Sequence, residues 1–122
     1  MTIQEALDQV DDLKPNTYSD TVKIRWLNQL DGRIYRELVC THEGSEDVAA
    51  PDYANAARTT QLIAQEPYEQ IYVHWLECRI DYYNSELQKF NNTYAVFAAD
   101  FKEYDSWYNR THMPLGAQLK YF

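Results

Sequence analysis

From Phe90 to Tyr108 the chain sets an aromatic ring at almost every third or fourth position. Phe90, Tyr94, Phe97, Phe101, Tyr104 and Tyr108 are separated by four, three, four, three and four residues. That alternation is heptad spacing, which gathers all six rings on one stripe of an α-helix. Leu87 extends the stripe backwards, and Ala95, Ala98 and Ala99 let a neighbouring element come close. A stripe of this kind is either a packing seam or a stacking surface for a ligand or nucleic acid. Single-strand stacking surfaces need a basic groove around the rings, whereas this helix carries Asp100, Glu103 and Asp105 beside Asn92 and Lys102. The expectation is therefore a core or subunit seam formed by Leu87, Phe90, Tyr94, Phe97, Phe101, Tyr104, Trp107 and Tyr108. Tyr104, Trp107 and Tyr108, near the helix end, are the residues expected to meet another subunit; alternatively their hydroxyls and indole face water.

The remaining elements follow from caps and periodicity. Thr2 stands three residues before Glu5, a capping-box pattern, and Ile3, Leu7, Val10 and Leu13 continue it as a first helix to about Leu13. Pro15 stops that helix. Ser19 caps a second, whose apolar face of Val22, Trp26, Leu27, Leu30, Ile34 and Leu38 runs to about Leu38. Gly32 weakens it by ~1 kcal/mol relative to alanine unless a close contact requires it. Pro67 suits the first position of a third helix. Ile71, Trp75, Cys78 and Tyr82 form one stripe of that helix, flanked by Tyr72, Leu76, Ile80 and Tyr83, so it should be contacted from two directions. Ser85 with Gln88 reads as a second capping box and places the break at Asn84–Ser85. A fourth helix then runs from Glu86 to about Arg110, roughly 37 Å long. Residues 41–58 have no sustained periodicity and read as a mobile connection, residues 59–65 as a short edge strand, and residues 111–122 as a tail. The whole is a single all-α domain, a small bundle of four main helices ending in a long helix pair.

Composition narrows the function. The formal net charge of −8 argues against non-specific DNA binding, which depends on Lys and Arg releasing counterions from phosphate. It argues equally against binding an anionic membrane surface. Cys40 and Cys78 form no CxxC pair, and Glu5 and Asp8 stand where a signal peptide needs a basic start, so free thiols in a cytosolic setting are expected. Eleven tyrosines suit boundaries and interfaces, since each packs a ring while keeping a hydroxyl for water or a partner.

Catalytic patterns are missing. The serines sit in no GxSxG elbow, and Gly32, Gly44 and Gly116 are too dispersed for a phosphate loop. The best metal candidates are His74, Glu77, Cys78 and Asp81, spaced to share a helix side. A bundle metal site needs comparable ligands from facing helices, and no second motif of this kind exists. Cys78 also falls on the apolar stripe, where a free cysteine acts as a small hydrophobe. The expectation is no enzyme, no metal and no cofactor.

Two stretches carry a resemblance: "KPNTYSDTVKIRWLNQLDGRIYREL" and "EPYEQIYVHWLECRIDYYNSELQKFNNTYAVFAADFKEYDSWYNR". They resemble small prophage proteins encoded beside the major capsid gene in tailed phages of Firmicutes, grouped with the head–tail connector (adaptor) proteins. The resemblance spans Ile3 to Pro114 apart from residues 41–58 and is most specific in "RWLNQLDGRI", "PYEQIY" and "NSELQKFNNTYAVF". It implies a helical virion protein that forms a ring with copies of itself, meets portal and tail or stopper proteins, and lets DNA pass without specific binding. It supplies no catalytic residues. Two rival classes stay open on the residues alone: a cytosolic helical protein binding a metal or ligand between helices, and an acidic DNA-mimicking regulator. The tail either docks on a neighbouring subunit or frays.

Overall fold

The computed structural model describes residues 1–115. Among the described residues there are four α-helices: α1 (Ile3–Leu13), α2 (Asp20–Ile34), α3 (Gln70–Tyr83) and α4 (Leu87–Thr111). The capping box is present, with Thr2 Oγ1 accepting from the Glu5 amide and the Glu5 carboxylate accepting from the Thr2 amide, both at 3.1 Å. Ser19 accepts from the Val22 amide at the start of α2. Beyond Ile34 the helix widens into a π turn over Tyr35–Val39, so the apolar face continues past Leu38.

Helix α3 is the centre of the bundle and packs against α1, α2 and α4. Ile71, Tyr72, Val73, Leu76 and Ile80 are buried to 1% exposure or less. Each such aliphatic or aromatic side chain contributes about 1.5–3 kcal/mol. Three polar stitches fix the helices around it. Lys14 of α1's C-cap binds both carboxylate oxygens of the fully buried Asp81 on α3 at 2.7 Å, and Thr93 of α4 donates to the same carboxylate. Lys23 of α2, itself buried, reaches Asp11 of α1 at 2.6 Å. Asp31 of α2 accepts from the hydroxyls of Tyr53 (2.5 Å) and Tyr72 (2.6 Å) and from the Ile63 amide. Buried charges persist only where partners replace water in this way.

Four boundaries depart from the sequence reading. No strand forms among the described residues: residues 60–62 make one antiparallel bridge with the N-terminus, through Ile3 N–H to Thr60 O and Leu62 N–H to Met1 O. The partner segment enters α1 at residue 3, which leaves nothing for a longer ladder to pair with. Helix α3 begins at Gln70 rather than Pro67, because residues 65–69 are taken up by hydrogen-bonded turns, Tyr68 N–H to Gln65 O among them. The break at Asn84–Ser85 holds, but Ser85 is not an N-cap. It sits in the left-handed region (φ 59°), with its amide bonded to Tyr82 O and the next amide to Asp81 O. That is the Schellman stop of α3, and α4 starts with no side-chain cap. Within the 41–58 connection, His42 and Tyr53 are buried. Residues 113–115 pair with 41–43, and the tail beyond lies outside the described residues.

Gly32 has no packing role, since a Cβ built there meets nothing within 4 Å. Gly32→Ala is therefore expected to stabilise the chain by about 0.5–1 kcal/mol through helix propensity alone, read as a higher urea midpoint at unchanged slope.

Candidate interaction surface

The aromatic ladder divides in two along α4. Phe97 (2% exposed), Tyr104 and Tyr108 are buried inside the chain's own core, with Phe101 and Trp107 packed against it. Burial pushes the Tyr104 and Tyr108 hydroxyls above the ordinary tyrosine pKa. At the other end Leu87 is 70% exposed and Tyr94 46% exposed, with Phe90 half-buried between them. The open end of the seam is thus the reverse of that expected from Tyr104, Trp107 and Tyr108. The reason is local: Tyr68 and the His42 connection cover the C-terminal turns of α4, with Tyr68 5.2 Å from Trp107 and His42 5.0 Å from Tyr108. On the first turns the end of α3 reaches only part of the stripe: Tyr82 packs on Phe90 and Asp81 accepts from Thr93, while Leu87 and Tyr94 stay exposed.

The exposed end continues onto α3. Tyr82 and Tyr83 are both exposed, and the rings run in contact from Tyr82 to Phe90 (5.4 Å), Tyr94 (5.7 Å) and Phe97 (6.2 Å). Phe101 continues the row 6.0 Å beyond Phe97, and a cation lies over each end. Arg33 stacks on Phe101 at 4.2 Å and pairs with Glu37. Arg79 lies over Trp75 at 4.5 Å and Tyr82 at 5.0 Å, with its Nε buried and lacking a hydrogen-bond partner. Sequence reading missed Arg79, although Trp75 four residues before it and Tyr82 three after lie on its helix face.

The metal candidates do not converge. Cys78 is buried, which pushes its thiol up, and Asp81 is occupied by Lys14 and Thr93. His74 Nδ1 pairs with Asp100, linking α3 to α4. A shallow cleft of about 230 Å³ opens there, lined by His74, Glu77, Asn92, Thr93 and Val96. No three His, Cys, Asp or Glu side chains group to hold a metal among the described residues. His42 is structural: one ring nitrogen bonds Leu38 O and the other Asn109 Oδ1, both at 2.6 Å, tying the connection to the end of α4.

No family model, curated protein or solved structure matches this chain. No helix among the described residues is long and apolar enough to cross a membrane. The α3–α4 tip carries a tyrosine, leucine and arginine patch of the amphipathic type enriched at protein interfaces.

Proposed function

We propose that this chain is a non-enzymatic assembly protein, a head–tail connector that builds a ring at a phage portal and joins capsid to tail. The observation that carries this reading is the open half of the ladder, where Leu87, Tyr94, Tyr82 and Tyr83 stand exposed as one patch on an otherwise well-packed small bundle. Contiguous exposed apolar patches of this sort mark interaction sites. The acidic balance is consistent with a wall past which DNA slides, because like charge prevents sticking. The test is co-expression with a tailed-phage portal protein, followed by native mass spectrometry and negative-stain microscopy. A closed ring of this chain on the portal is expected. A chain that neither self-associates nor binds the portal overturns the reading.

The His74–Asp100 pair beside the cleft favours one second reading, a small ligand held between α3 and α4. Saturable binding of a small molecule, lost on His74→Ala, would decide for it.

A further inference from the structure

We infer that the tip patch around Arg79 docks the acidic connection of a second copy, in a head-to-tail contact. The inference rests on the assembly reading above and names the partner of that surface. Two observations meet in it. The first is a cation without an anion: Arg79 forms no ion pair among the described residues, sits on Trp75 and Tyr82, and shares its patch with the exposed Leu87 and Tyr94. Aromatic faces leave the guanidinium weakly hydrated, which suits it to take a carboxylate in a partly desolvated contact.

The second is a set of anions without cations. Glu43, Glu46 and Asp47 lie at the surface, none is in an ion pair among the described residues, and residues 41–57 contain no Lys or Arg. Glu46 and Asp47 lie on a short 3₁₀ turn that follows Gly44, whose φ of 90° redirects the chain into that turn.

These two features cannot meet within one molecule. The Glu43 amide donates to Met113 O just past the C-terminal end of α4, whereas the Arg79 patch lies beside its N-terminal turns. Arg79 lies 6.0 Å from the Phe90 ring, so the turns of α4 from Phe90 to Thr111 separate them by about 32 Å. The contact therefore forms between copies and joins different surfaces of each. A heterologous contact of this kind closes a ring when the rotation per copy permits, and otherwise grows a filament.

Sedimentation velocity on the full chain tests it with a charge swap. Arg79→Glu alone, and Glu46→Lys with Asp47→Lys, should each raise the dissociation constant of self-association at least about tenfold. The triple variant, in which the new carboxylate on each patch faces the new lysines of the next copy, should return it to near the wild-type value, with the salt dependence preserved. Near-ultraviolet circular dichroism checks that Arg79→Glu stays folded, and Leu87→Asp, at a site 70% exposed, tests the same patch without touching Arg79. A wild-type chain that does not self-associate overturns this inference while portal binding still decides the wider reading. Association abolished by Leu87→Asp but not repaired by the swap overturns the pairing alone.

Discussion

Asp31→Ala is expected to cost about 3–5 kcal/mol, enough to leave a domain of this size marginal at room temperature. Asp31 is fully buried in α2, and its carboxylate is the common acceptor for the Tyr53 hydroxyl, the Tyr72 hydroxyl and the Ile63 amide. One side chain thus ties α2 to the connection, to the segment after it and to α3. Alanine strands three donors at once, and each stranded group costs about 1–3 kcal/mol. Tyr72→Phe should cost less, because it removes one donor to Asp31 and one acceptor for the Ala64 amide. Urea unfolding monitored by far-ultraviolet circular dichroism measures both; an Asp31→Ala chain within about 1 kcal/mol of wild type would mean the cluster is idle.

The same residue gives a pH signature with a definite sign. Burial raises the Asp31 carboxyl above its ordinary value, against the pull of its three donors. The folded chain therefore keeps that proton to higher pH than the unfolded chain does. The contribution is complete below the unfolded value of about 3.9 and is lost as pH rises through the raised folded value. Asp31→Asn has no such proton, so the difference in stability between the two chains should shift toward Asn as pH rises across that window.

Asp31 also marks where sequence reading succeeded and where it ran out. The four helices were legible because Thr2, Ser19 and the apolar periodicities are local signals, and those two caps formed as written. Asp31 itself went unread, although it stands four residues after Leu27 and three before Ile34 on an apolar face, and its tyrosine partners lie 22 and 41 residues away. Ser85 misled for a related reason. Its spacing to Gln88 suits an N-cap, yet the chain needed a left-handed residue there to stop α3, and stopping α3 took precedence. In the ladder, spacing identified the stripe but carried no information about which turns the connection would cover. That was decided by Tyr68 and His42, which reach α4 from far along the chain.

The two halves of that stripe should respond oppositely to substitution. Phe97→Ala removes a ring that is 2% exposed and in contact with Trp75, Tyr94 and Phe101, and is expected to cost about 3–5 kcal/mol while leaving a cavity between α3 and α4. Leu87→Asp alters a side chain that is mostly in water, at the first turn of α4, where a carboxylate also favours the helix dipole. Its effect on the isolated chain should stay within about 0.5 kcal/mol of zero. Assembly should show the reverse order: Leu87→Asp buries a charge in any contact made by the tip and should abolish it, whereas a folded Phe97→Leu chain should still associate. Thermal melts and sedimentation on these chains separate the outcomes. Equal loss of stability from Phe97→Ala and Leu87→Asp would mean that the tip is core after all, and that the exposed leucine and tyrosine are not a docking face.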